Sequence, residues 1–389
     1  MTQLNRLHPR LTAALLGAAV LLIAPLSVQA GAHAGGETDH STMDHSKMDH
    51  SGGDMMAMGE QRDDKGRRLY GMKHNVTPEM ANELRANVPL FASYSDQEID
   101  LSMEMMGSNY EWYLSNTAVS GDQGLLLLMH GFKERGDAAF KEEMQPMASI
   151  FPTAMAAGMS MMMSDHIRWG VKDLEAAGVK TIVVVPMVST RYNTMMRQWE
   201  YIFGQEDEPS YATVPRVETT AQVLIADPPG DDPLIAEILL DHAMDISEDP
   251  GNEIVIIAAH GPSFEDDNQK VLAELANLSQ IVREDGDFAD VQAITLQDDA
   301  PKEIRDRNVA KLRGMVEGAQ AEGKNVLVVT NLIGTRTIQA KLRSDLKGLD
   351  FKFNKNGIVS HSNFMKWMGE AVREQLERNE VASAADASM

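Results

Sequence analysis

Two histidines end apolar runs of the sequence, and a glycine follows each. His130 ends the run LLLLMH, and His260 ends the run EIVIIAAH. Such runs are typical of strands buried in a parallel sheet, and ligands bind beyond the carboxyl ends of these strands. A neutral imidazole binds a divalent metal ion or accepts a proton. His130 is therefore the first candidate for both metal ligand and catalytic base, and His260 is a second candidate metal ligand. The alternative is that backbone groups satisfy each ring.

A second group of metal-binding side chains lies in a short repeat near the N-terminus. The pattern DHSxM recurs from Asp39, and its candidate ligands are His40, His45, His50, Met43 and Met48. Imidazole suits divalent copper, nickel and zinc, and the thioether of Met suits monovalent copper. The tract over residues 31–66 is predicted to be disordered and to bind copper, and it resembles the His/Met segments of periplasmic copper-resistance proteins. The alternative is a polar linker without a ligand.

Composition restricts the kinds of partner. The 389 residues contain 35 Lys and Arg against 58 Asp and Glu, and a net charge of −23 argues against nucleic acid as a partner. The chain has no cysteine, which excludes disulfides, thiolate zinc sites and iron–sulfur clusters. Any metal ion must therefore be held by His, Met, carboxylate or backbone oxygen. No organic cofactor is predicted, and the oligomeric state is left open.

Residues 1–30 have the pattern of a cleavable signal peptide. Arg6 and Arg10 precede an apolar stretch over Leu11–Ile23, and small residues stand at the predicted cleavage position near Ala30. The protein is therefore expected to be periplasmic or secreted, without a stable membrane span in the mature chain. The alternative is a permanent anchor, for which the apolar stretch is short.

The elements that position the two histidines form a repeated α/β unit. Apolar runs at 125–131, 152–160 and 181–191 alternate with amphipathic stretches, and runs at 253–261, 290–296 and 325–336 repeat this order. The helical stretches 232–243 and 361–372 close the two units, so an internal duplication is predicted. The expected fold class is α/β with parallel sheets. The predicted segments are a helical lead-in at 67–120, lobe 1 at 121–246, lobe 2 at 247–378 and a disordered tail at 379–389.

Both units resemble the sirohydrochlorin chelatase (CbiX/SirB) group of class II tetrapyrrole chelatases. The resemblance covers about residues 124–372 and rests on a strand ending in His-Gly, a polar loop and helix, a second strand, an Ala-Gly turn and a VVVP strand. It implies two flavodoxin-like or Rossmann-like lobes that face one cleft. It also implies a lyase-type enzyme that inserts a divalent metal ion, cobalt, nickel or iron, into a tetrapyrrole.

The sequence departs from this family where a second metal ligand is expected. Single-lobe members have a Gly-x-His motif just beyond the VVVP strand, but residues 188–193 read VSTRYN, and 333–336 also lack it. Arg191 and Arg336 are predicted to bind carboxylates of the macrocycle, or alternatively to form salt bridges with the other lobe. His361 precedes the closing helix, and it is predicted either to bind substrate or to act as a helix N-terminal residue.

Two functions therefore stay open. The first is an exported chelatase that inserts metal into a tetrapyrrole, with His130 as metal ligand and proton acceptor. The second is a binding protein that keeps the duplicated fold, lacks insertion chemistry and delivers a metal ion, with copper as the expected ion at the DHSxM tract. The His-Gly pair in both units favours the first function. Export and the missing second histidine favour the second function.

Overall fold

The computed structural model describes residues 62, 64, 76–106, 109–158, 162, 164–334 and 337–386. The predicted signal peptide, Arg336 and the His/Met tract apart from Arg62 and Asp64 lie outside these residues. No helix in the described part of the chain combines the length and the hydropathy that a membrane crossing requires.

Lobe 1 is built around a five-stranded sheet. Its strands are β1 (Tyr110–Tyr113), β2 (Gln123–Leu128), β3 (Thr153–Ala157), β4 (Thr181–Pro186) and β5 (Gln222–Ile225). They lie in the order β1-β3-β2-β4-β5, with β1 antiparallel to β3 and all other neighbours parallel. The helices that precede, connect and follow these strands are α1 (Pro78–Asn87), α2 (Asp96–Met106), α3 (Lys133–Glu143), α4 (Gln145–Ala148), α5 (Ser164–Ala176), α6 (Thr194–Ile202) and α7 (Pro233–Met244).

Lobe 2 is built around a four-stranded parallel sheet. Its strands are β6 (Glu253–Ala259), β7 (Asp290–Thr295), β8 (Asn325–Asn331) and β9 (Lys352–Phe353), in the order β7-β6-β8-β9. Its helices are α8 (Glu265–Gly286), α9 (Lys302–Ala321), α10 (Thr337–Asp345) and α11 (Ser362–Asp386). Short 3-10 turns lie at Pro89–Phe91, Pro250–Asn252 and Ile358–Ser360.

The two sheets share one strand order, which supports the predicted duplication. β3-β2-β4-β5 in lobe 1 corresponds to β7-β6-β8-β9 in lobe 2, and in both sheets the strand that ends in His-Gly is central. The α/β class with parallel sheets is therefore confirmed. The exception is β1, an antiparallel edge strand with no counterpart in the described part of lobe 2.

Each central strand is buried on both faces, which explains its continuous apolar sequence. Leu125 and Leu127 of β2 lie in one core cluster with Val255 and Ile257 of β6, so this core extends from one lobe to the other. Alternate residues of β2, such as Leu126, belong to a second cluster on the opposite face of the lobe 1 sheet. Each fully buried leucine stabilises the fold by about 1.5–3 kcal/mol.

The closing helices are exchanged between the lobes. The helix that follows lobe 1, α7, packs against α8 and β8 of lobe 2, and the helix that follows lobe 2, α11, packs against α4, β4 and β5 of lobe 1. The buried apolar residues of both helices belong to the core that the lobes share. This exchange holds the carboxyl edges of the two sheets in position relative to each other.

Two predicted boundaries are wrong. Residues 67–120 were expected to form a helical lead-in, but β1 within this range joins the lobe 1 sheet, where Trp112 is buried in the shared core. The tail from residue 379 was expected to be disordered, but α11 continues to Asp386. Asn379 of α11 exchanges hydrogen bonds of 2.7 and 3.0 Å with the side-chain amide of Gln222 in β5, which ties this part of the helix to lobe 1.

Candidate functional site

The two histidines leave their strands through loops of the same shape. The glycine after each histidine has a positive φ angle, +99° at Gly131 and +74° at Gly261. A Cβ atom on Gly131 would lie 2.6 Å from the backbone of Gly158, and one on Gly261 would lie 2.6 Å from Cβ of Thr295. Only glycine fits this conformation and this close approach. Each loop therefore presents its imidazole, half-buried, at the carboxyl edge of its sheet.

The ring of His130 has one nitrogen free to bind a ligand. Its Nδ1 lies 3.2 Å from the carbonyl oxygen of Gly131. A carbonyl only accepts hydrogen bonds, so this contact places a proton on Nδ1, and the lone pair of the neutral ring then lies on Nε2. Within the described residues, Nε2 has no hydrogen-bond or ion-pair partner. A metal-ligating histidine has this arrangement, with its other nitrogen donating to a backbone carbonyl.

The ring of His260 faces an acceptor at both nitrogens. Its Nδ1 lies 2.9 Å from the carbonyl oxygen of Gly261, and its Nε2 lies 3.6 Å from a carboxylate oxygen of Asp299. Burial, and to a smaller extent Lys341, lower the pKa of His260, but the carboxylates of Asp299 and Asp298 and the hydrogen bond with Gly261 together raise it by more, so the net pKa lies above the ordinary value of 6.5. This environment favours the imidazolium, which has no lone pair for a metal ion. The metal role of His260 stays a prediction, and His130 is the better placed ligand.

Asp298 is the buried centre of the charges around His260. Its carboxylate lies 2.7 Å from both Nε of Arg305 and Nζ of Lys341, and its side chain is only 3% exposed. Burial raises the pKa of Asp298, but His260, Lys341 and Arg305 lower it by more, so the carboxyl stays ionised. Lobe 2 therefore surrounds its histidine with a network of acidic and basic side chains. Among the described residues of lobe 1, no such network surrounds His130.

Asp299→Asn is expected to lower the pKa of His260, because it removes the carboxylate nearest to Nε2. Since folding raises this pKa, protonation of His260 stabilises the fold below pH 6.5, and this contribution is lost as the pH rises through the raised pKa. NMR titration of the ring Cε1–H signals measures the change, with the His130 signal as the internal control. An unchanged His260 midpoint in the variant would contradict the assignment.

Residues beside both loops contact the opposite lobe. The ring of Phe132, two residues after His130, packs so closely on Gly334 of lobe 2 that a Cβ there would lie 2.8 Å from the ring. On the other side, Asp267 of α8 in lobe 2 forms a 3.0 Å ion pair with Arg197 of α6 in lobe 1. Both histidine loops therefore lie beside the junction of the lobes, and both imidazoles are half-buried.

The structure pairs two of the predicted substrate-binding residues, Arg191 and His361, with carboxylates. Arg191 pairs with Asp227 at 3.0 Å, and Asp227 follows β5 in the same lobe, so the alternative of a salt bridge to the other lobe is wrong. Nε2 of His361 lies 3.0 Å from Asp241 of α7, and its Nδ1 accepts a hydrogen bond from the backbone N–H of Asn363. His361 therefore lies at the N-terminus of α11, as the helix N-terminal interpretation predicts, and its role in substrate binding stays a prediction. Arg336 lies outside the described residues.

A groove lies next to the His130 loop. It has a volume of about 670 Å³ and lies between β1 and α3, where its lining includes Trp112, Glu134 and Arg135. Within the described residues, no group of three or more His and carboxylate side chains is arranged to hold a metal ion.

Sequence reasoning missed three residues that shape the two loops: Phe132, Asp137 and Asp299. Phe132 and Asp137 follow His130 by two and seven residues, on the loop and on the first turns of α3. Their spacing from the strand end was a usable signal, since the helix after a strand packs against the loop that joins them. Asp299 lies after β7, and its approach to His260 depends on strand order, which no local pattern reveals.

Comparison with known proteins gives matches among solved structures. No protein-family model and no curated protein matches the sequence. SirB from Bacillus subtilis with Fe³⁺ is 16% identical with a TM-score of 0.50, and the match covers 67% of this chain and 98% of that chain. The sirohydrochlorin chelatase SirB from Bacillus subtilis subspecies spizizenii in complex with cobalt is 14% identical with a TM-score of 0.46, and the match covers 67% and 97% of the two chains.

A third similar structure is a multi-domain protein from Deinococcus radiodurans with structural similarity to chelatases. It is 18% identical with a TM-score of 0.39, and the match covers 62% of this chain and 53% of that chain. The similarity to SirB with Fe³⁺ shows that this chain has a sirohydrochlorin-chelatase-like fold. The expected fold resemblance is therefore confirmed.

Proposed function

We propose that this protein holds a divalent metal ion on Nε2 of His130 and inserts it into a tetrapyrrole that binds at the junction of the lobes. The observation that carries the proposal is the free Nε2 of a half-buried imidazole at the carboxyl end of the central strand of lobe 1. The chelatase-like fold supports the substrate class, because sirohydrochlorin chelatases with this fold bind iron and cobalt in solved structures.

The chemistry needs a weak metal ligand and a proton acceptor. A single imidazole holds a cation less tightly than a tetrapyrrole with four nitrogens, so the ion can pass from His130 to the macrocycle. Two pyrrole N–H protons leave as the ion enters. Once the ion has left, the Nε2 lone pair accepts one of these protons, and water takes the other. The half-exposed ring then returns its proton to solvent.

The direct test adds Co²⁺ and sirohydrochlorin to the full-length protein and follows the visible spectrum of the macrocycle. Insertion changes this spectrum, and we expect the protein to accelerate the change relative to metal and macrocycle alone. Ni²⁺ and Fe²⁺ are tested in the same way. If none of the three ions gives a faster change with protein than without it, the enzymatic proposal fails.

The second candidate is copper delivery, and the in-register DHSxM repeats favour it. His40, His45 and His50 would bind divalent copper, and Met43 and Met48 would bind monovalent copper. Export by residues 1–30 is part of this candidate, and the mass of the mature chain tests it, because cleavage near Ala30 leaves Gly31 as the first residue. An uncleaved chain would contradict export.

Replacing the tract ligands is expected to remove most of the bound copper while leaving the folded part unchanged. The variant carries His→Ala at positions 40, 45 and 50 and Met→Leu at positions 43 and 48 in the full-length chain. Copper analysis after dialysis gives the stoichiometry, and circular dichroism is the control for folding. A variant that keeps the copper content of the unmodified protein would show that the tract is only a linker.

A further inference from the structure

A buried carboxyl group supports the loop that carries His130. Asp137 lies in α3 with 1% of its surface exposed. Its Oδ1 accepts a hydrogen bond from the backbone N–H of Phe132 at 2.5 Å, and its Oδ2 is buried without a partner. Oδ1 would also lie 3.7 Å from a Cβ atom on Gly131, so the carboxyl group lies directly against the turn. The loop is therefore held by Asp137 and by the close backbone contact with Gly158.

In lobe 2 a neutral side chain, and not a carboxylate, lies against the glycine turn after the histidine. Asn268 of α8 takes the place of Asp137, since its Oδ1 would lie 3.3 Å from a Cβ atom on Gly261. The loop residue that corresponds to Phe132 is Pro262, which has no N–H to donate. Asn268 instead accepts a hydrogen bond from Oγ1 of Thr295 at 2.6 Å. In lobe 1 the carboxylate of Asp137 thus accepts from the N–H of the loop residue Phe132. In lobe 2 the corresponding residue, Pro262, has no N–H, and Asn268 accepts from Thr295 instead.

The charge on Asp137 is more than this hydrogen bond requires. A neutral amide oxygen can also accept a hydrogen bond from a backbone N–H, although a carboxylate oxygen accepts it more strongly, and an unpartnered buried carboxylate oxygen carries a desolvation penalty. Burial raises the pKa of Asp137 to about 6, despite the hydrogen bond from Phe132, so the group is mainly ionised at neutral pH. A buried negative charge beneath a loop favours a cation bound on that loop.

We propose that Asp137 is a positioning residue that fixes the His130 loop through Phe132 and whose negative charge strengthens the binding of a divalent cation at His130. The inference rests on the proposed function of His130. It also distinguishes the lobes, because lobe 2 carries a neutral amide beneath its loop and carboxylates around its histidine. Lobe 1 is then the lobe that binds the metal ion.

Two substitutions separate positioning from charge. Asp137→Asn keeps an oxygen acceptor for the N–H of Phe132 and removes the charge, and Asp137→Ala removes both. The readouts in full-length protein are the position of the His130 ring signal without metal and the Co²⁺ concentration that shifts it. Asp137→Asn is expected to leave the signal in place and to weaken Co²⁺ binding by about 10-fold, while Asp137→Ala also displaces the signal. Asn268→Asp is the matched control and should change neither readout.

The proposal and the function on which it rests fail in different ways. If Co²⁺ does not shift the His130 signal of the unmodified protein, the proposed function fails. The positioning role of Asp137 is still tested in that case, because Asp137→Ala without metal should displace the His130 signal. If both Asp137 variants keep the signal position and the Co²⁺ affinity, the inference is overturned. If Asp137→Ala does not fold, the Co²⁺ affinity of Asp137→Asn decides the role of the charge.

Discussion

Replacing His130 with alanine is expected to abolish the binding of Co²⁺ by the folded lobes, with a loss of affinity of about 100-fold or more. Loss of a residue that only orients a metal ligand already reduces affinity by about 10–100-fold, and His130 is proposed to be the ligand itself. Calorimetric titration of the full-length protein measures the affinity. The background is the tract variant with His40, His45 and His50 replaced, which removes binding by the repeats.

His260→Ala is the matched control for this experiment. His260 follows the equivalent strand and is followed by a glycine with a positive φ angle, as His130 is, but its two nitrogens face a carbonyl and a carboxylate. We expect His260→Ala to retain Co²⁺ binding. An equal loss of Co²⁺ affinity in the two variants would show that both imidazoles bind the metal ion. The assignment of metal binding to lobe 1 alone would then be wrong.

Gly131→Ala is expected to destabilise the fold by about 2–5 kcal/mol. A non-glycine residue in the left-handed region costs about 1–2 kcal/mol, and forcing an extra carbon into a close contact adds about 1–3 kcal/mol. The φ angle of Gly131 is +99°, and its new Cβ would lie 2.6 Å from backbone atoms of Gly158, which have no side-chain freedom to move aside. Urea denaturation of the full-length protein measures the free energy of unfolding.

Gly178→Ala separates the cost of the positive φ angle from the cost of the close contact. Gly178 has a similar φ angle of +90°, but no atom lies within 4 Å of the position of its Cβ. Its substitution should therefore cost only about 1–2 kcal/mol, from the backbone conformation alone. If the two alanine variants lose the same stability, the His130 loop relaxes without cost and its close contact does not hold the imidazole in place.

The central strands and the histidines at their ends were predictable because local sequence determines both. Eight-residue runs such as EIVIIAAH tolerate burial on two faces, and the glycine that follows indicates a turn at the sheet edge. The correspondence between the closing helices was also visible in the sequence. Their exchange between the lobes was not, because it depends on packing of α7 and α11 against strands that are distant in the sequence.

The site was less predictable than the fold. Arg191 and His361 each had two predicted roles, one of them substrate binding, and the sequence did not identify their ion-pair partners Asp227 and Asp241, which are 36 and 120 residues away in the chain. The same limit applies to the carboxylates that distinguish His260 from His130. Two identical His-Gly motifs therefore have different electrostatic environments, and only the tertiary contacts reveal the difference.

Anomalous diffraction at the cobalt edge, from crystals of the full-length protein grown with Co²⁺, tests the central claim most directly. A peak about 2.1 Å from Nε2 of His130, with none at His260, is the predicted result. A lobe-bound peak at His260 alone, or no lobe-bound peak although the crystals contain cobalt, would contradict the assignment of His130 as the metal ligand.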